Sequence, residues 1–487
     1  MSSYKPIYHF TAAKNWLNDP NGPIYYQGEY HLFYQHNPYG TEWGTIHWGH
    51  AVSKDLVHWQ HKPLALYPSV EQGEVHCFSG CCVVSDAGVP TIFYTSIGDG
   101  ERNATTGAEQ WSAYSLDGML TWIKSPHNPV LTAEAHGANP PLDWRDPYVW
   151  REPDGWRMVL GGTTDGKGGA LLYVSDDLEH WRFVSHLFRS ERGEALWECP
   201  HVFKFAGAGL GNSAESADSA NPAQDKYALF YSPSGPVCYY TGTINAEGEL
   251  IPEASGQVDY GGWEGYYAST GFVDGAGRKL LWGWLPEMSR GDRFPVELDW
   301  AGVMALPRQV ELKPGGKLSF RPVPELEQLR CGDALRWEDV KVTRAGWDTG
   351  RSSRACELAV TFATSASSPV LRVAVLRSPG GEEQTTVVVD TAAPSITIER
   401  SVSSLYAGTH KSPVGGPLPE PVNGLYQLRI FVAHSVVEVF AGDEACLTTR
   451  VFPSRADSTG IALSADSYLV LKELQVWEMS SARFEQS

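Results

Sequence analysis

Polar and apolar residues alternate along most of this chain, and the spacing of an amphipathic helix is nearly absent. Pro23-Ile24-Tyr25-Tyr26-Gln27 and Tyr30-His31-Leu32-Phe33-Tyr34-Gln35 flank Gly28-Glu29 and predict a β-hairpin. One short segment recurs. Ser53-Lys54-Asp55-Leu56-Val57-His58-Trp59 returns as Ser175-Asp176-Asp177-Leu178-Glu179-His180-Trp181, with a looser copy over Ser115-Leu116-Asp117-Gly118-Met119-Leu120-Thr121-Trp122. A period of about 60 residues holding several short strands is one blade of a propeller, and roughly five such units fit before residue 305.

The texture then changes. Residues 206–225 are Gly, Ala, Ser, Asn and Asp with Leu210 as the one large apolar residue, which predicts a surface loop. Pro314-Gly315-Gly316 reads as a turn and Val323 to Leu329 as a short helical linker. Beyond residue 335 tryptophans thin out. Strands such as Leu428-Arg429-Ile430-Phe431-Val432 and Val436-Val437-Glu438-Val439-Phe440 predict a β-sandwich. The chain is therefore expected to be all-β: a five-bladed β-propeller over 1–305 carrying the chemistry, a linker over 306–335, and a β-sandwich over 336–487 without catalytic signal.

A length of 487 residues is too great for one ordinary core and agrees with two domains. The formal charge of −19 argues against nucleic acid and anionic membranes as partners, and leaves a neutral sugar open. No apolar run of 18 residues exists to cross a bilayer as a helix. Eighteen tryptophans and 22 tyrosines supply flat faces that pack sugars, although most such rings fill β-rich cores. Met1 to Pro6 lacks the basic stretch and apolar core of a signal peptide, so a cytoplasmic address is expected, with a secreted enzyme stripped of its signal as the alternative. In a reducing compartment the eight cysteines would be free thiols, and Asn103-Ala104-Thr105 would be a glycosylation site only in a secreted protein. Oligomeric state has no legible signal.

Three carboxylates stand in tight local contexts. Asp19 lies in Trp16-Leu17-Asn18-Asp19-Pro20-Asn21-Gly22, where Pro20 biases it away from helix. An Asn-Asp-Pro alone is usually a turn. At the start of the first strand pair of a propeller, however, such a carboxylate faces the central funnel and suits a nucleophile. Glu198 lies in Trp197-Glu198-Cys199-Pro200, and its apolar neighbours suit a general acid. Asp146 sits between Arg145 and Pro147. The arginine should keep it ionised, fit to accept hydroxyls and offset positive charge in an oxocarbenium-like transition state. Two carboxylates facing a glycosidic bond are the minimum for sugar-transfer chemistry.

These strings, with Phe33-Tyr34-Gln35-His36-Asn37-Pro38, Trp43, His47-Trp48-Gly49-His50-Ala51, Phe78-Ser79-Gly80, Tyr267-Ala268-Ser269, Trp282-Gly283-Trp284 and Leu306-Pro307-Arg308, resemble glycoside hydrolase family 32, the β-fructofuranosidases, over nearly the whole chain. The resemblance implies a five-bladed propeller followed by a β-sandwich. It implies Asp19 as nucleophile, Glu198 as acid/base and Asp146 as transition-state stabiliser. Asn18, Gln35, Trp43, Ser79 and Arg145 would line the pocket of the terminal fructosyl unit, with Phe78 and Trp284 as walls. The reaction would retain configuration through a covalent fructosyl-enzyme, with no metal and no cofactor. Sucrose and short fructo-oligosaccharides are the expected substrates, since a cytosolic address disfavours long polymers.

Two departures bear on specificity. Cys81 and Cys82 follow Phe78-Ser79-Gly80 where a serine is common, and His201 follows Glu198-Cys199-Pro200 where an aspartate is frequent. If they sit on the acceptor side, they favour fructosyl transfer to sugar over hydrolysis. Exo-inulinase or levanase activity stays open within the same family. An arabinan- or xylan-cleaving propeller is disfavoured by the complete Trp16–Gly22 string, and a non-catalytic sugar-binding propeller by the presence of all three carboxylates. The His47/His50 and His58/His61 spacings would suit a metal only on a helix, and these segments read as strand and turn.

Overall fold

The structure, a computed structural model, describes residues 4–98, 108–207, 224–291, 294–363 and 369–486. The Asn103 sequon and nearly all of the 206–225 segment lie outside the described residues.

Among the described residues, five consecutive antiparallel sheets run from Asn15 to Pro322. The first has strands Asn15–Tyr26, Glu29–Asn37, His47–Ser53 and Trp59–Leu66. The innermost strands of the other four are Glu74–Val84, Leu142–Glu152, Glu198–Phe205 and Tyr267–Val273. Each innermost strand touches that of the next sheet, and Tyr267–Val273 touches Asn15–Tyr26, so five blades close into a ring. Trp300–Ala301 fastens the closure by pairing in parallel with Asn15 and Trp16. Gly302 makes this approach possible. Its φ is +86°, and a Cβ there would lie 1.8 Å from the carbonyl oxygen of Leu17.

The 60-residue repeat is the turn between the third and fourth strands of blades one to three. In each copy the aspartate accepts backbone N–H groups, as Asp55 does from Val57 and His58, and Asp177 from Glu179 and His180. The residue after that aspartate, Leu56 or Leu178, takes positive φ. The tryptophan then folds back so that its Nε1 donates to the leucine carbonyl, Trp59 to Leu56 and Trp181 to Leu178.

Arg308–Leu312 and Leu318–Pro322, inside the 306–335 segment expected as a linker, are the outer strands of the fifth blade. Their alternation is short and split by the Pro314-Gly315-Gly316 turn, which hid them in the sequence. The linking element is a 3-10 helix, Pro324–Leu329. Two six-stranded sheets follow, packed over a core that includes Leu358, Val373, Val389, Ile396, Ile430 and Leu463. This is the β-sandwich.

The two domains share a buried ionic seam. Arg308 is fully buried. It donates to Asp259 of the propeller at 2.7 Å and, across the boundary, to Glu438 at 3.1 Å and Thr448 at 2.9 Å. His9 reaches Glu438 at 2.9 Å, and Arg450 of the sandwich reaches Glu287 at 2.6 Å. Phe484–Gln486 returns from the sandwich to pair with Trp59–His61 at the outer edge of blade one.

Candidate active site

Each of the five innermost strands carries a β-bulge. The pairing slips between Leu17 and Pro20, Cys77 and Gly80, Arg145 and Tyr148, Glu198 and His201, and Tyr267 and Thr270. A bulge breaks the strict in–out alternation of a strand, so adjacent side chains turn to the same side. That is how Asn18 with Asp19, Arg145 with Asp146, and Glu198 with Cys199 all face one point. Pro20, Pro147 and Pro200 fit here because a bulge needs no ladder donor. Asp146, Cys199 and Ala268 take φ of +63°, +48° and +49°. Each costs on the order of 1 kcal/mol for a residue with a Cβ, and the surrounding fold holds that strain at the site.

Asp19 is gripped at both oxygens. Ser79 Oγ donates to Oδ2 at 2.5 Å and Asn18 Nδ2 to Oδ1 at 3.0 Å. Behind them Gln35 donates to Ser79 at 2.5 Å and accepts from Asn18 at 2.8 Å, while Trp16 Nε1 donates to Asn18 at 2.7 Å. The thiol of Cys199 points at Asp19 Oδ2 from 3.6 Å, and burial keeps that thiol protonated. The Cys199 backbone N–H donates to Asp146 Oδ2 at 2.8 Å. One residue therefore touches both aspartates, and its neighbour is Glu198.

Arg145 corrects the expectation from its sequence position. Its Nη2 donates to Glu198 at 2.6 Å, whereas its Nε stands 4.0 Å from Asp146. Asp146 is accordingly not held fully ionised by its neighbour. Burial pushes it up from 3.8 to about 7, against the pull of Arg145 and with help from the charges of Asp19 and Glu198. Burial raises Asp19 as well, opposed by its bonds from Ser79 and Asn18. Asp146 is therefore partly protonated near neutrality.

The structure brings Asn18, Gln35, Ser79 and Arg145 together with the three carboxylates. Trp43 and Phe78 are neighbours beside them, ring centroids 6.1 Å apart, and Trp43 is 50% exposed. Trp284 differs from expectation. It is 6% exposed and packs edge-on behind Trp16 at 5.8 Å, so it backs the wall and Trp16 forms the face. Cys81, Cys82 and His201 are all buried, the histidine stacked on Phe230 at 4.5 Å. None reaches the mouth, and the acceptor-side argument for transfer loses its residues.

Tyr267 was missed as a working residue. Its hydroxyl makes a short bond to Glu198 Oε2 and is itself fixed by the Ser234 N–H at 2.9 Å and the Ser232 carbonyl at 3.1 Å. Glu198 is thereby clamped by Arg145 on one oxygen and Tyr267 on the other. Thr95 was also missed; its Oγ accepts the Asp146 N–H at 2.9 Å.

A clamped glutamate, a hydrogen-bonded aspartate and a third carboxylate at the mouth of a propeller are the equipment of a glycoside hydrolase. The chain matches the glycosyl hydrolases family 32 N-terminal domain over residues 9–322 and the family 32 C-terminal domain over 325–478. The protein belongs to that family. A levanase of Bacillus subtilis is 34% identical over 95% of this chain and 68% of its own length. An insoluble β-fructofuranosidase isoenzyme of Arabidopsis thaliana is 31% identical over 99% of this chain and 91% of its own. The crystal structure of fructan 1-exohydrolase IIa from Cichorium intybus superposes with a TM-score of 0.88 at 26% identity, covering 100% of this chain and 99% of that one.

Proposed function

We propose that the protein is a retaining β-fructofuranosidase that removes terminal non-reducing β-D-fructofuranosyl units by double displacement. Glu198 gives its proton to the glycosidic oxygen as the bond from that oxygen to C2 of the fructosyl unit breaks. An oxygen of Asp19 bonds to C2 from the opposite face. Water then enters on the side the leaving group vacated, gives a proton to Glu198 and displaces Asp19, so configuration is retained overall. Asp146 faces the ring hydroxyls and the positive charge that develops between the two steps. Arg145 and Tyr267 hold Glu198 at the leaving-group side through both proton transfers.

The observation that carries this reading is the convergence of three carboxylates from three blades, tied together through Cys199. The relatives named for sucrose-type and fructan substrates support fructosides as the class. The test is purified protein in concentrated sucrose, with glucose, fructose and trisaccharides followed together by chromatography. Hydrolysis gives equal glucose and fructose, and Asp19→Ala abolishes both while leaving the melting transition in place. Turnover near wild type in Asp19→Ala would end the mechanism.

A further inference from the structure

The leaving group must lie within reach of Glu198, and the exposed ring nearest the partner of that acid is Trp263. It is 36% exposed and stands edge-on to Tyr267 with centroids 4.1 Å apart. It also meets Trp284 at 6.4 Å, continuing the aromatic wall that begins at Trp16. Trp43, the other exposed tryptophan of the mouth, instead adjoins Phe78 and His76 and so belongs to the Ser79–Asp19 side. Trp263 thus offers an apolar face on the acid's side of the cleaved bond, where the C–H face of a sugar ring packs.

What holds Trp263 is the other domain. It sits in the short turn Gly262–Gly265, and the segment leading to it is bonded to the sandwich strand Ala445–Arg450. The Tyr260 N–H donates to the Cys446 carbonyl at 2.8 Å, and the Thr448 N–H donates to Asp259 at 3.0 Å. Gly261 and Gly265 press on the Thr448 carbonyl so closely that a Cβ would lie 2.2 and 2.1 Å from its oxygen. Glu264 adds Arg400 at 3.6 Å and His410 at 3.1 Å, both from the sandwich. Glu264 and His410 are exposed enough for solvent to weaken that pairing, so the backbone contacts carry the docking.

We infer that Trp263 is the stacking platform for the sugar released from the fructosyl unit, and that the β-sandwich sets leaving-group selectivity by docking the turn that carries it. This rests on the fructosidase reading above, and it gives the second domain a part in substrate choice. The pocket for the fructosyl unit is built by propeller residues alone; the site beyond the cleaved bond takes its shape from both domains.

The experiment compares wild type, Trp263→Ala, Trp263→Phe and Gly265→Ala on sucrose, with fructose and glucose as product inhibitors. Trp263→Ala is expected to raise the KM for sucrose about tenfold, the loss of one aromatic contact worth up to 1.5 kcal/mol, with a smaller change in kcat. Glucose inhibition should weaken with it while fructose inhibition stays unchanged, a split that general loosening of the fold would not give. Trp263→Phe should recover most of the loss. Gly265→Ala, which moves the turn but keeps the ring, should reproduce the Trp263→Ala pattern in weaker form. An unchanged KM and unchanged glucose inhibition in Trp263→Ala overturns the platform. A Gly265→Ala protein equal to wild type overturns the role of the sandwich. Failure of the fructosidase reading is separate, since wild type would then release no fructose at all.

Discussion

Replacing Asp146 by asparagine should make the protein more stable at alkaline pH while destroying its activity. The carboxyl of Asp146 is buried and titrates at about 7, against an ordinary value of 3.8. Between those two values the folded chain binds a proton that the unfolded chain has lost, so stability falls as pH rises through the window. Three pH units at 1.36 kcal/mol each give roughly 4 kcal/mol lost between pH 4 and pH 8. Asparagine has no charge to bury, and its Oδ1 still accepts the Cys199 N–H, so the variant escapes the loss. For a cooperative unit of about 320 residues the unfolding entropy is near 0.7 kcal/mol per kelvin, and 4 kcal/mol corresponds to about 6 °C. Thermal melts of wild type and Asp146→Asn at pH 4.5 and pH 8 test this. The variant should gain most of that margin at pH 8 and little at pH 4.5, with kcat on sucrose down by about 100-fold or more. A difference in melting temperature that does not change with pH refutes the reasoning, as does a variant less stable at pH 8.

Tyr267→Phe removes one of the two donors on Glu198; a charge-assisted hydrogen bond is worth about 1.5–3 kcal/mol, so kcat should fall about 10- to 100-fold in steady-state assays, and the melt should drop by a few degrees because the Ser234 N–H loses its acceptor. Arg308→Met leaves Asp259 and Glu438 buried without their shared cation and should cost about 3–5 kcal/mol, read as a lowered urea midpoint. Gly302→Ala drives a methyl into the Leu17 carbonyl at the ring closure, and should lower the yield of folded protein or its melting temperature more than alanine at Gly315, where nothing lies within 4 Å.

Much of this arrangement was legible in the sequence because its signals are local. The period-two alternation gave the strands, and the Asp-Leu-x-x-Trp turn, with its looser copy over residues 115–122, marked three blades directly. The carboxylates stood out through the prolines next to or near them, which proved to lie in the bulges or at their edge. Partner choice was less legible, because it depends on which side chains meet across blades. Arg145 adjoins Asp146 in sequence yet spends its shorter bond on Glu198 from another blade. Tyr267 sits in a run of small and aromatic residues, and only ring closure brings its hydroxyl to the acid. Strand pairing resumes at His201 after the bulge that follows Glu198, and its alternation turns it into the core between Phe230 and Tyr148. The 308–322 strands were mistaken for linker because two five-residue strands around a glycine turn carry too little pattern to separate from a connection.

The pairing of Trp300–Ala301 with Asn15 and Trp16 also has a consequence for biosynthesis. Asp19 is carried on a strand whose open edge is fastened by a segment that emerges nearly 300 residues later. Until then that strand presents unpaired backbone groups to the solvent, and blades two to four and the first two strands of blade five must be delivered before it is covered. Phe484–Gln486, made later still, then caps the opposite edge of the same blade. Blade one therefore precedes the other four along the chain yet is completed after them, so a ribosome stalled anywhere before residue 300 releases a chain that holds Asp19 but no closed ring.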